Sequence, residues 1–474
     1  MSSFLLILYI ITSGLAFLGV VFYGARPSRS LSWLFVIVFM PFIGVIFYLL
    51  FGINRRKIKF FKLKQTYKRR LYDSNHHMAN DHKPFEKFKS NKKEKLATLI
   101  SNNNKYLPFD GNKVEVLQDG KSTFASIFEA IKEAKSFIHI QYYILEEGEL
   151  LDEMFNLFKE KIAEGLEIRV MYDAIGSFDW RRKSIKRFKS IGVTICSSMP
   201  LRFGNFLFSF NYRNHRKIVV IDGVIGFTGG FNLTDKYIKS NTNMGIWEDT
   251  HVKIEGPAVE SLHKVFIKDY YFASKEDILL DSKYLPKQEI KGNSIVQIVA
   301  SGPDSDYAAI MQQYIMLINL AEDFICIANP YFIPSSQVLT ALKIAALSGV
   351  RVKILLPEQS DSITARYCMR SYFEEIIAAG VEIYLKRDAF LHSKLILIDN
   401  EIVSVGSGNF DNRSFDHNFE TNALIYDSVL AKEVHEVFIT DCESSLRVNE
   451  AQFKERPIQD KFFEGLARFF SPLL

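Results

Sequence analysis

Cysteine is scarce in this chain: four residues in 474, at Cys196, Cys326, Cys368 and Cys442, far apart and without a C-x-x-C spacing. That argues against a zinc–thiolate site or a disulfide framework and suits a reducing compartment, each thiol acting as a small buried hydrophobe. Charge of one sign is also scarce. The net charge is only +5, so the location of the basic residues matters more than their number. No cluster of Asp and Glu has the density of a catalytic metal site, so neither metal nor cofactor is expected. No basic stretch precedes the first apolar run, which argues against a cleaved signal peptide. What is abundant is apolar: 48% hydrophobic residues and 41 Phe, rich for a soluble enzyme and pointing to lipid contact. The length allows about three domains.

Two uncharged runs, 4–23 and 31–51, are 20 and 21 residues long, each long enough for a helix across the bilayer core. The short linker between them, with Arg26 and Arg29, predicts a two-helix transmembrane hairpin over 1–52. Pro41 would kink its second helix, and a shallow re-entrant loop is the alternative. Directly after come Arg55, Arg56, Lys57, Lys59, Lys62, Lys64, Lys68, Arg69 and Arg70 without an intervening acid. These nine charges exceed the whole net charge, so the rest of the chain is slightly acidic. By the positive-inside rule, residue 1 and everything after Phe51 are expected in the cytoplasm. The collar reads as a contact for anionic headgroups or as a topology signal alone; a nucleic-acid arm fits less well beside a membrane. Residues 53–105 are expected to be a basic juxtamembrane linker. Its 71–105 stretch is polar, and His76, His77 and His82 in it read as solvated in preference to a metal site.

From about Lys121 apolar strands alternate with amphipathic helices, and the order recurs after a boundary near 281–293. The fold class expected is α/β, two duplicated domains at 106–285 and 286–474 with mainly parallel sheets. Residues 462–473 carry Phe and Leu at helical spacing, which reads as an interfacial amphipathic helix or as one packed on the core.

Each half ends its strand–helix series with the same pattern. HRKIVVIDGVIGFTGGFN begins at His215 and HSKLILIDNEIVSVGSGN at His392, and every shared position is offset by 177 residues. Asp222-Gly223 and Asp399-Asn400 are turn-forming pairs, so each copy predicts a β-hairpin. Alternation puts His215 with Lys217, and His392 with Lys394, on one face, to which the returning strand brings Asn232 and Asn409. Asp222 and Asp399 stand seven residues after their His, an odd number, and are expected in the turn or on the other face. Two hairpins meeting at a seam would offer two imidazoles, two ammonium groups and two amides. That set suits phosphodiester transfer: one His attacks phosphorus, the other protonates the leaving alkoxide, and Lys and Asn hold the equatorial oxygens. A nucleophilic His needs a carboxylate on its other nitrogen. Glu248 in WEDTHV and Glu420 in NFETNAL are the candidates. The copies differ at Gly230 and Ser407, so a hydroxyl contact is expected from one half only.

The duplicated His-x-Lys-x4-Asp pattern resembles the phospholipase D superfamily. NYRNHRKIVVIDG, FTGGFN, WEDTHVKIEGPAV, NPYFIPS, VGSGNFDNRSF, NFETN and the hydrophobic start ending YLLFG bring it nearest to the bacterial cardiolipin synthases, over essentially the whole chain. The resemblance implies two phospholipase D-like domains whose catalytic motif is His215, Lys217 and Asp222 with His392, Lys394 and Asp399. It implies transfer of a phosphatidyl group from one phosphatidylglycerol to another through a phosphatidyl-histidine. The products are cardiolipin and glycerol, at the bacterial cell membrane and without nucleic acid. By family precedent His215 is the nucleophile and His392 the acid/base; the residues themselves leave this open, and also the acceptor, which could be water or another alcohol.

Overall fold

Short β-rich apolar runs separated by helices build one 15-stranded sheet and two small ones in the computed structural model, which describes residues 3–23, 27–40, 42–53, 67, 71–72, 88, 90–200, 211–240, 244–472 and 474. The first half contributes β1 (Phe109–Leu117), β2 (Phe137–Tyr142), β3 (Glu167–Asp173), β4 (Thr194–Ser198), β5 (Ile218–Ile221), β6 (Ile225–Gly229), β7 (Ile246–Glu248) and β8 (His251–Glu255). The second contributes β9 (Ser294–Ser301), β10 (Phe324–Ala328), β11 (Phe332–Ile333), β12 (Arg351–Pro357), β13 (Glu382–Lys386), β14 (Ala389–Leu391), β15 (Leu395–Ile398), β16 (Ile402–Gly406), β17 (Phe410–Asp411), β18 (Glu420–Tyr426) and β19 (Leu446–Arg447).

The small sheets pair β7 with β14 and β11 with β17. The order of the large sheet is β4-β3-β2-β5-β6-β8-β1 followed by β9-β18-β16-β15-β10-β12-β13-β19. Apart from β19 at the edge, the second list is the mirror-ordered repeat of the first, joined to it by antiparallel β1 and β9. The two-domain α/β expectation holds, with a correction to the sheet. Within this sheet the parallel pairs among the described residues are those of β2–β3–β4 and β10–β12–β13. The motif hairpins and their neighbours are antiparallel, because a tight turn reverses the chain where a helix crossover would not. One apolar layer lies between the two halves and gathers residues of both, among them Ile218, Val252, Ile298, Leu397 and Val405. Two outer layers pack helices on the far faces. Strands β2, β5, β15 and β18 are buried along their whole length, as expected of strands covered on both sides. The stretch between helix Ala258–Ser274 and β9 is two single 3-10 turns and coil.

The start of the chain departs from two full-length spans. Helix α1 (Ser3–Tyr23) is apolar throughout and long enough to cross a bilayer. The second apolar run does not form one helix. It divides into α2 (Pro27–Phe39), a break where Phe42 has φ 61°, α3 (Ile43–Phe47) and a π-helical turn Tyr48–Gly52. The chain reverses at that break: the Tyr48 ring lies 5.8 Å from that of Trp33, and a Cβ on Gly44 would overlap the Val36 carbonyl. Pro41, the basic collar from Arg55 to Arg70, and His76, His77 and His82 lie outside the described residues.

The linker expectation is corrected over its last part. Residues 91–104 form a helix capped by Ser90. Its Leu96, Ala97 and Ile100 are fully buried in the second half's outer core, the i, i+1, i+4 spacing of one helix face. The C-terminal helix Ile458–Arg468 packs on the body, the second of the two readings, but through a polar face. Its buried face is polar: Glu464 accepts from Arg370 Nε at 3.1 Å and Arg456 Nε at 2.8 Å. Phe462 and, just beyond the helix, Phe469 point outward, 66% and 82% exposed.

Candidate active site

Both motif hairpins close as their turn residues require. Asp222 and Gly223 have φ 51° and 71°, Asp399 and Asn400 52° and 49°, the left-handed pair that Asp, Asn and Gly adopt most readily. The two Asp side chains stay at the turns. Asp222 accepts backbone N–H bonds from Lys135, Ser136 and Phe137 at 2.7–2.9 Å. Asp399 accepts from Glu322, Asp323 and Phe324 at 2.9–3.0 Å and from Lys92 Nζ at 2.9 Å. Each pins its hairpin to the start of the neighbouring parallel strand. As strand parity predicts, both carboxylates bond at the turns and not with the two histidines, although the motif counts Asp222 and Asp399 with the catalytic residues.

His215 and His392 lie just ahead of β5 and β15. His215 is held from the other half: its Nδ1 stands 3.0 Å from Glu420 Oε2 and 3.2 Å from the Ser407 carbonyl, with its ring against Tyr143. Glu420 is fully buried and also accepts from Ser407 Oγ at 2.5 Å, Ser414 Oγ at 3.1 Å and Asn418 Nδ2 at 3.2 Å. His392 is likewise held across the seam, by Asp249 Oδ2 at 2.5 Å, with Tyr237 Oη 3.2 Å away. Glu248, the carboxylate expected there, instead pairs with Lys386 through its side chain, and only its carbonyl reaches the site, accepting the His392 N–H at 2.7 Å.

Sheet register explains the correction. Gly229 pairs with His251 and its counterpart Gly406 with Asn422, so Asp249 is the counterpart of Glu420, and Glu248 of Phe419. The Phe419 carbonyl accordingly accepts the His215 N–H at 2.9 Å. Aligning the two Glu letters is one residue out. The same register accounts for Gly230 against Ser407. A Cβ at Gly230 would collide with the Asp249 carboxylate, whereas Ser407 reaches up to the longer Glu420. The Ser407 hydroxyl is therefore engaged by Glu420.

Lys217 and Lys394 are fully buried. Lys217 donates to the His215 carbonyl at 2.7 Å; Lys394 Nζ is 2.8 Å from His392 Nδ1 and 3.4 Å from Asp249. Burial lowers Lys217 to about 7, against the pull of Glu420 and with the Lys394 ammonium adding to the fall. Burial also lowers Lys394, opposed by Asp249. Burial and Lys394 bring His392 down to about 3 against Asp249. Burial lowers His215, opposed by Glu420 and reinforced by Lys217. For Glu420 and Asp249 burial pushes upward, but the facing His and Lys outweigh it and both carboxyls lie below their usual range. The site thus holds two neutral imidazoles, each with Nδ1 against an ionised carboxylate and Nε2 left for a substrate.

Asn232 and Asn409 are buried. Asn232 Oδ1 accepts the Ile144 N–H at 3.1 Å; Asn409 Oδ1 has no hydrogen-bond partner among the described residues. Sequence reasoning missed Asp249, Tyr237 and Arg216. Arg216, the middle residue of the first His-x-Lys, is fully buried, pairs with Asp269 of its own half at 2.6 Å and ties the halves together by donating to the carbonyls of Glu420 and Ser301. Among the described residues no group of three or more His, Cys, Asp or Glu is placed to hold a metal ion.

Comparison with known proteins identifies the family of the chain. The model of the cardiolipin synthase, phospholipase D-like domain matches residues 127–270 and 314–442, and the phospholipase D-nuclease N-terminal model matches 6–52. The cardiolipin synthase of Alkalihalophilus pseudofirmus is 36% identical over 468 residues, 98% of this chain and 93% of that protein. That of Oceanobacillus iheyensis is 39% identical over 458 residues, 94% of each. Among solved structures, the Haemophilus influenzae phosphatidylserine synthase covers 81% of this chain and all of its own, at 16% identity and a TM-score of 0.60, a likeness of fold.

Proposed function

The chain belongs to the cardiolipin synthase family of phospholipase D-like enzymes, and from that premise we propose that it moves a phosphatidyl group from one phosphatidylglycerol to another, releasing glycerol and forming cardiolipin. The observation that carries this reading is the crossed pairing: Glu420 of the second half on His215 of the first, and Asp249 of the first on His392 of the second. It makes one two-histidine site of two hairpins.

In the first step His215 Nε2 attacks phosphorus. A P–N bond forms, the P–O bond to glycerol breaks, and His392 gives its proton to the departing alkoxide. In the second, His392 takes the proton of the terminal hydroxyl of another phosphatidylglycerol; the new P–O bond forms and the P–N bond breaks. Burial and Lys394 keep His392 neutral; a phosphodiester anion beside it raises its pKa and favours the proton-bearing form. Lys217, Lys394, Asn232 and Asn409 hold the equatorial oxygens as their charge changes. The domain division follows the duplication: an apolar segment at 1–52, a juxtamembrane stretch to 105, and halves at 106–285 and 286–474, the helix 91–104 belonging structurally with the second half. The chain associates with the membrane through its apolar start, and the collar after residue 54 favours a catalytic body on the cytoplasmic side.

The test supplies purified full-length protein in detergent with phosphatidylglycerol alone and separates the lipids. Cardiolipin and glycerol in equal amounts are expected. Phosphatidic acid as the main product would overturn the proposal in favour of hydrolysis. The division of roles is tested with a phosphatidyl ester of p-nitrophenol, whose leaving group needs no proton. His392→Ala should still release one equivalent of p-nitrophenolate and His215→Ala none; the opposite pattern reverses the assignment.

A further inference from the structure

We infer that the second apolar segment is re-entrant: α1 crosses the membrane once, α2 and α3 enter and leave on the catalytic side, and residue 3 lies on the opposite side from the catalytic halves. Three observations converge on this topology. The first is length and direction. Helix α1 has 21 residues, about 31 Å at 1.5 Å per residue, enough for the hydrocarbon core of about 30 Å. Helix α2 has 13, about 20 Å. It runs antiparallel to α1, with Tyr9 Oη bonded to the Ile37 carbonyl at 3.2 Å, and so stops short of the far face. The chain then turns back: Gly44 lies on Val36, and Tyr48 and Gly52 on Trp33. In a continuous helix residues 33 and 48 would be about 22 Å apart.

The second observation is what the first turns of α2 touch. Ser32, Trp33 and Val36 line one groove with Pro334, Tyr372 and Phe469 of the catalytic body. Tyr212 Oη donates to the Ile53 carbonyl at 3.0 Å. The start of α2 and the end of the re-entrant turn are therefore both at the catalytic side. Had α2–α3 crossed as one helix, residues 32 and 33 would lie across the bilayer from Pro334.

The third is charge. A two-span hairpin leaves Arg26 and Arg29 on the side opposite the collar. The re-entrant path puts Arg26, Arg29 and the nine basic residues from Arg55 to Arg70 on one side, and residues 3–23 carry no charge at all. This satisfies the positive-inside rule without exception. The backbone break at Phe42 is compatible with such depth because α1 and α2 cover it, with the Phe42 ring 5.5 Å from that of Tyr9.

The inference rests on the membrane reading above, which alkaline extraction of the membranes tests separately. Its own test is Ser3→Cys and Ser30→Cys in the full chain, probed with a membrane-impermeant maleimide on intact spheroplasts and again after detergent, the parent chain setting the background of the native cysteines. Labelling of S3C in intact spheroplasts, and of S30C only after detergent, is expected. Labelling of S30C in intact spheroplasts, or protection of S3C there, would overturn the inference in favour of two spans.

Discussion

At the scale of the residue, the site is defined by which carboxylate faces which imidazole. Asp249 and Glu248 are adjacent in sequence, yet one meets His392 and the other Lys386. Asp249→Asn should therefore lower kcat at least about 10²-fold, the low end for a positioned proton-transfer group, while Glu248→Gln, which loses only a partly exposed ion pair, should change it less than threefold, about 0.6 kcal/mol. Equal losses in steady-state assays would refute the register argument. Lys217 makes a pH prediction. Its ammonium, lowered to about 7 by burial, Glu420 opposing and Lys394 reinforcing, loses its proton as pH rises through that value. The free enzyme then loses a cation for the phosphodiester, so kcat/KM should fall above about pH 7. The bound anion raises the lysine's pKa, so the corresponding limb in kcat should lie at higher pH. Lys217→Arg, always charged, should remove the limb even if its absolute rate is low.

At the scale of the element, the motif hairpin is a device for aiming a His and a Lys, and its Asp fixes it to the rest of the sheet. Asp222→Ala removes the acceptor of three backbone N–H groups, of which only that of Phe137 is partly buried. A loss of about 1–3 kcal/mol of stability is expected, read as a lower thermal midpoint, with kcat at a permissive temperature retained within a few fold. Asp222→Asn, which tolerates the left-handed turn and keeps an acceptor oxygen, should lose less. A variant that is stable but dead would return Asp222 to the chemistry.

At the scale of the whole molecule, the C-terminal helix presents its apolar side outward and holds itself to the body with the buried Glu464 ion pairs. Phe469 lines the same groove as Trp33 of the apolar segment, so this surface is expected to face the bilayer. Burying a Phe side chain is worth about 1.5–3 kcal/mol. The Phe462→Asp/Phe469→Asp double variant should keep its thermal midpoint and raise the KM for phosphatidylglycerol in mixed micelles at least tenfold, about 1.4 kcal/mol. An unchanged KM would leave the exposed phenyl groups without a lipid role.

The sequence alone determined everything local or repeated: the α/β alternation, the 177-residue duplication, the two turns and, through strand parity, the separation of His and Lys from Asp. These are properties of near neighbours, set by periodicity and backbone preference. It also placed Glu420, because that residue starts a strand next to the hairpin. Tertiary structure decided what depends on register and on chain reversal. Pairing Gly229 with His251 shifted the first carboxylate from Glu248 to Asp249, a one-residue step invisible in a string but one that turns a strand side chain to the other face. Folding of the joined sheet on itself carried each carboxylate to the opposite half's histidine. The break at Phe42 divided a run long enough to cross the membrane into two short helices and a turn, since hydropathy counts residues and is blind to where the backbone reverses.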